Sequence, residues 1–238
     1  LGEIPYYIQF TLTGYGRDIE PGLPDKHELI RIFRETAETA GRDRMVWRYD
    51  PVLFNERYPA EYHFRAFEAI AEGICGCTDK VVISFLDCYG KTKRNMRGIP
   101  LELPDEETMK RTGERFVKTA EKYGMTGESC AETVDLSEVG VRHGSCVDPA
   151  MIERILGVPV RVKKDKNQRP ECGCVESVET GAYDTCLCGC KYCYANDSEG
   201  AVMRRREEYD VDSPLLCGRV EEGDRITVRR TSRILTGE

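Results

Sequence analysis

Asp79-Lys-Val-Val-Ile-Ser-Phe-Leu-Asp87 is the stretch on which the fold turns. It is the most apolar run in the chain, bounded by charges, and reads as a β-strand. Its apolar heart, Val81 to Leu86, is far shorter than the roughly 18 residues a membrane helix needs. Before it, Pro59 opens a helical pattern whose buried face carries Ala66, Phe67, Ile70 and Ile74. Before that, Met45 to Asp50 reads as a strand. Asp25 and Glu28 offer a capping pair for a helix with Leu29, Ile32, Phe33, Ala37 and Ala40 at helical spacing, stopped by Gly41. Nearest the amino end, Ile8, Phe10 and Leu12 alternate with Gln9, Thr11 and Thr13, the pattern of a strand with one apolar face.

Downstream, Pro104 opens a helix with Met109, Phe116, Val117, Ala120 and Tyr123 facing inward. Met125 to Glu132 reads as a fourth strand, Asp148-Pro149 caps a short helix closed by Gly157, and Val158 to Val162 is a candidate fifth strand. Strands and helices thus alternate, which predicts βαβ units and a parallel sheet. The expected class is α/β, a partial or complete TIM-type barrel followed by a cysteine-rich segment. The expected units are a βα body over 1–165, a cysteine-rich segment over 166–200, and a polar appendage over 201–238 with one strand at Arg225 to Arg230.

The 238 residues carry 35 Lys plus Arg against 42 Asp plus Glu, a net charge of −7, which argues against general nucleic-acid binding. A hydrophobic share of 40% with 32% charged residues suits a soluble globular domain. No secretory signal is visible, so the expected location is cytoplasmic, where twelve cysteines point to metal binding before disulfides.

Parallel α/β folds gather their chemistry at the carboxyl ends of strands. The ends here carry Arg48 and Asp50, then Ser84, Asp87, Cys88 and Tyr89, then Glu128, Cys130 and Glu132. Arg48, Asp50, Asp87 and Glu132 are the candidate catalytic residues, suited to holding a charged substrate and moving protons. Arg48 and Asp50 serve equally as an ion pair closing the sheet. Lys91, Lys93, Arg94 and Arg97 form either a solvated loop or a phosphate site. His27 and His63 read as ordinary surface or packing residues.

The carboxyl part contains Cys186, Cys190 and Cys193 in a C-x3-C-x2-C spacing, with Tyr192 before the last cysteine. Three thiolates on so short a loop can hold three irons of a four-iron four-sulfur cluster and leave the fourth open. Cys130, Cys146, Cys172 and Cys174 can supply a second cluster or a tetrahedral zinc, or one of them can close the first cluster. His143 and Cys146 form an H-x2-C pair that would assist a zinc reading. Cys188 reads as a bystander, and Cys75, Cys77, Cys88 and Cys217 as packing residues.

The C-x3-C-x2-C spacing with its aromatic residue resembles the radical SAM motif. The resemblance implies a 4Fe-4S cluster on Cys186, Cys190 and Cys193 and S-adenosylmethionine on the open iron. It also implies reductive release of a 5′-deoxyadenosyl radical and an electron donor such as a ferredoxin or flavodoxin. Lys166-Asn-Gln-Arg169, Cys172-Gly-Cys174, Gly181-Ala-Tyr183 and the run from Cys186 to Asn196 resemble an uncharacterised bacterial family known only as a domain of unknown function. Phe10-Thr-Leu-Thr-Gly-Tyr-Gly16 and Arg48-Tyr-Asp-Pro51 fit that family as well. The resemblance implies a barrel-like body distantly similar to spore photoproduct lyase, and a further amino-terminal segment ahead of Leu1. In radical SAM enzymes the motif follows the first strand. Here it follows the βα units, and no Gly-Gly-Glu-like strand comes after it. The alternatives are a non-SAM iron–sulfur protein of electron-transfer or structural kind, and a structural zinc site on an α/β scaffold.

Overall fold

A computed structural model describes residues 4–87 and 90–228. Five strands form one parallel sheet in sequential order: β1 (Ile8–Thr11), β2 (Met45–Val52), β3 (Lys80–Phe85), β4 (Thr126–Ser129) and β5 (Arg142–His143). Between them lie α1 (Lys26–Ala40), α2 (Ala60–Gly73), α3 (Gly90–Asn95) and α4 (Glu106–Lys122), followed by α5 (Pro149–Leu156) and α6 (Glu199–Glu207). The sheet is α/β as expected, and it stays an open five-stranded sheet among the described residues. No described helix is long and apolar enough to cross a membrane.

The helices form where the sequence supplies caps and periodicity. Asp25 accepts from the His27 backbone N–H to start α1, which buries Leu29, Phe33 and Ala37. Asp105, one residue past the expected Pro104, accepts from Thr108 N at 2.8 Å to start α4. Phe116, Val117 and Ala120 are on its buried face.

One face of the sheet builds the main core. Phe10, Leu12, Trp47, Tyr49, Val81 and Ile83 meet the buried sides of α1, α2 and α4. Phe67 of α2 and Phe116 of α4 stack with centroids 4.3 Å apart. His63, fully buried, joins Tyr49 Oη at 2.9 Å to the Leu53 carbonyl at 2.8 Å. Burial lowers its pKa to about 4, so it is a neutral packing residue, as expected.

The other face has a different character, because strand side chains alternate. In register across β2, β3 and β4, it presents Val46, Lys80 and Thr126, then Arg48, Val82 and Glu128, then Asp50, Ser84 and Cys130. Met151 of α5 covers its amino-terminal end against Val46 and Val82. The polar rows lie toward the strands' carboxyl ends.

Three expectations change. The fifth strand is Arg142–His143, where the carbonyl of Ser129 receives Gly144 N, and Val158 to Val162 stays out of the sheet. Val158 directly follows Gly157, whose left-handed φ of 69° turns the chain off α5, and the stretch holds a single bridge residue, Val160, short of a strand; an isolated bridge joins Lys164 to Val175 nearby. The appendage holds a helix, α6, which crosses the expected boundary at residue 200 because Ser198 caps it. Residues 225–228 form no strand, and Arg229 and Arg230 lie outside the described residues, as do Cys88 and Tyr89.

Candidate metal centre and strand-end site

The segment from Cys186 to Cys193 docks on the loop that follows β1. Gly22 N donates to the Cys188 carbonyl at 2.9 Å, and Lys191 N donates to the Ile19 carbonyl at 2.8 Å. The approach is tight: a Cβ on Gly22 would stand 2.7 Å from the Cys188 carbonyl oxygen and 2.9 Å from its Cα. Beneath this contact the buried Glu20 carboxylate accepts from Thr13 Oγ1 at 2.6 Å, accepts from Tyr192 Oη, and pairs with Lys26. Tyr192 also packs against Tyr15, with ring centroids 6.1 Å apart. Its aromatic side chain therefore anchors the cysteine loop to the α/β body.

Other bonds close the loop on itself and on α3. Cys193 N donates to the Cys190 carbonyl at 3.1 Å, and Gly189 takes the left-handed φ of 63° that the turn needs. Asn196 Nδ2 donates to the Cys186 carbonyl at 2.6 Å, and Asn95 Nδ2 donates to the Cys193 carbonyl at 3.0 Å. Arg94 pairs with Asp197, and Lys91 sits 5.2 Å from the centre of the Tyr183 ring. Of the basic residues read as a loop, Lys91, Lys93 and Arg94 lie on a short helix, α3, and Arg97 in the turn after it; Arg94 and Lys91 tether the cysteine segment.

The four sulfurs of this loop lie close enough to influence one another. Burial, then a hydrogen bond with Cys186, raises the Cys188 thiol to about 11. Burial, then Glu20, raises Cys190 to about 12. Cys186 is exposed, while Cys190 and Cys193 are half-buried. An open cleft of about 550 Å³ runs beside them, lined by Cys186, Cys188, Cys190, Asn95, Asn196 and Val202.

A second sulfur group stands at the carboxyl end of β4. Cys130, Cys146, Cys172 and Cys174 pack together around Ala131. The Cys130 and Cys146 sulfurs are 3.2 Å apart. Arg48 Nη1 lies 2.9 Å from the Cys146 sulfur. The hydrogen bond from Cys146, then Arg48, pulls Cys130 down to about 6, while the contact with Cys130 and burial push Cys146 up. His143 lies exposed on β5. Among the described residues all eleven cysteines are free thiols, and no three His, Cys, Asp or Glu side chains surround a common point as a single bound ion would require.

The expected catalytic residues fall into two places. Arg48 and Asp50 form an ion pair on the polar face, and Ser84 donates to the same Asp50 carboxylate. Glu132, pushed up to about 7 by burial, accepts from Phe85 N at 2.7 Å. Asp87 is half-exposed and pairs with Arg169 at 2.6 Å. Lys80 was absent from the sequence reading, yet it bridges Glu128 at 2.9 Å and Asp148 at 2.7 Å within the polar face. Its inward alternation with Val81 was the available signal. Cys75 is exposed, contrary to its reading as a packing residue, because the turn after α2 leaves it at the surface.

A family model described as a domain of unknown function, DUF1848, matches residues 1–195. That span takes in the sheet and both groups of cysteines. No curated protein and no solved structure matches the chain.

Proposed function

The chain belongs to the DUF1848 family, and we propose that it is an iron–sulfur protein of the radical SAM kind. Cys186, Cys190 and Cys193 would hold the cluster. The supporting observation is the docked loop: three soft donors on one tight turn, fastened to the strand ends by Glu20, Tyr192 and Gly22, with an open cleft alongside. A cube is gripped at its corners, so its ligands stand wider apart than those around a single ion. When bound, such a cluster supplies one-electron chemistry to a ligand at its open iron.

The chain's own residues then have separate tasks. Glu20 and Tyr192 orient the loop. Arg48 and Asp50 hold charge on the polar face as an ion pair. Those residues, with Glu132, are the substrate-facing candidates. S-adenosylmethionine is the proposed ligand of the cleft, and a ferredoxin or flavodoxin the proposed electron donor. A relation to spore photoproduct lyase would be an analogy of fold alone and would assign no substrate.

Anaerobically purified protein, reduced in the presence of S-adenosylmethionine, is expected to release 5′-deoxyadenosine. Cys190→Ala is expected to abolish the release. A protein that carries its cluster, yet neither forms deoxyadenosine nor changes its electron paramagnetic resonance when the ligand is added, would reduce the proposal to an electron-transfer or structural cluster.

A further inference from the structure

We infer that Cys130, Cys146, Cys172 and Cys174 form a second and separate site, a tetrathiolate for one zinc ion. Its role is to clamp the loops that follow β4 and β5 to the loop closed by the Lys164–Val175 bridge.

Four observations carry this. First, residues far apart in the chain arrive together. Cys130 ends β4 with its N–H on the Ile83 carbonyl at 3.0 Å, and Cys146 follows β5. Cys172 and Cys174 come from a loop that returns to this point, where Val175 N donates to the Val147 carbonyl at 3.2 Å. Second, two small residues permit the approach. A Cβ on Gly173 would stand 3.0 Å from the Gly144 carbonyl oxygen, and a Cβ on Gly144 would stand 2.9 Å from the Glu128 Cβ.

Third, the backbone aims donors at sulfur. Cys146 N and Val147 N both point at the Cys174 sulfur, at 3.2 and 3.4 Å. A thiol is a weak acceptor with its own proton to place, whereas a thiolate welcomes two N–H donors. Arg48 gives the Cys146 sulfur a positive neighbour at 2.9 Å. Four thiolates on a divalent ion leave an excess of negative charge, and these donors offset it. Fourth, the site is largely shielded: Cys172 and Cys174 are each only 6% exposed, and Cys130 and Cys146 are half-buried.

The spacing selects the ion. Zinc–sulfur bonds of about 2.3 Å put tetrahedral ligands roughly 3.8 Å apart. Cys130 and Cys146 stand at 3.2 Å, near that edge and much closer than corners of an iron–sulfur cube would stand. The sulfurs do not yet face one point. Metal binding would turn the side chains about χ1 to bring the four sulfurs to one centre. The arrangement fits a structural site with all four positions filled by protein.

The test keeps this site apart from the cluster proposed for Cys186, Cys190 and Cys193. The full chain carrying Cys186→Ala, Cys190→Ala and Cys193→Ala is purified anaerobically and analysed for metals. One zinc per chain is expected there, and none after Cys172→Ser and Cys174→Ser are added. Should the added pair prevent folding, cobalt exchanged into the triple variant is expected to show thiolate charge-transfer and tetrahedral d–d bands. Their absence, iron in place of zinc, or a Cys130–Cys146 disulfide found by mass spectrometry would each overturn the inference. Loss of iron from the triple variant bears only on the other centre.

Discussion

Removing the Tyr192 hydroxyl tests how the cysteine loop is held. Tyr192 donates to Glu20, whose side chain is only 1% exposed and which also takes Thr13 at 2.6 Å and Lys26. A hydrogen bond to a buried carboxylate contributes roughly 1.5–3 kcal/mol. Tyr192→Phe should therefore cost about 2 kcal/mol. Glu20→Gln keeps the shape but weakens the charge-assisted bonds and leaves Lys26 without its partner. The Lys26 pair is discounted because that side chain is a quarter exposed, which brings the cost to about 2–3 kcal/mol. If the two groups act through each other, the double variant should fall short of the sum by about 1–2 kcal/mol. In a chain of this size each 2 kcal/mol is roughly 4–8 °C of Tm. Hydrogen exchange gives the local reading. The amides of Gly22 and Lys191, which bond to Cys188 and Ile19, should exchange roughly 30-fold faster in Tyr192→Phe, while amides of β3 stay unchanged. Additive costs, or unaltered Gly22 and Lys191 amides, would refute the docking argument.

Three further outcomes follow from the same geometry. Gly22→Ala puts a methyl group against Cys188 backbone and should cost about 1–3 kcal/mol by urea titration, with the same two amides exposed; a neutral result would mean the loops are not in contact. His63 has its pKa lowered to about 4 from 6.5, so the unfolded chain binds the proton that the folded chain refuses, and stability falls as pH drops through that window. Between pH 7 and 4.5 the wild type should lose about 2.5 kcal/mol that His63→Gln does not lose, and equal losses in both would contradict a buried neutral imidazole. Phe116→Ala removes a ring stacked on Phe67 at 4.3 Å and should cost about 3–5 kcal/mol, measured as a shift of the urea midpoint; a cost below 1 kcal/mol would show the core is built elsewhere.

Much of the scaffold was legible because burial and periodicity coincide in it. Ile8, Phe10 and Leu12 announce β1, and Leu29, Phe33 and Ala37 announce α1, since their apolar spacing matches the face each element buries. β5 escaped because two exposed residues, Arg142 and His143, carry no apolar signal; only pairing with β4 makes them a strand. Val158 to Val162 misled for the opposite reason: Val158, Val160 and Val162 alternate as a strand would, yet the stretch holds no more than a single bridge residue, Val160. Arg48 and Asp50 were readable as neighbours on one face, and the structure pairs them. That Arg48 also reaches Cys146 was not readable, because 98 residues separate them and only the folded sheet brings them together. Tyr192 was chosen for its place in a motif, and its actual partner, Glu20, lies 172 residues away in a loop with no pattern of its own.

The most direct measurement is iron and acid-labile sulfide counted per chain after anaerobic purification, in the wild type and in the variant lacking Cys186, Cys190 and Cys193 together. The account predicts about four of each in the wild type and neither in the variant. Wild-type protein that is folded and free of iron after reconstitution with iron and sulfide would contradict it.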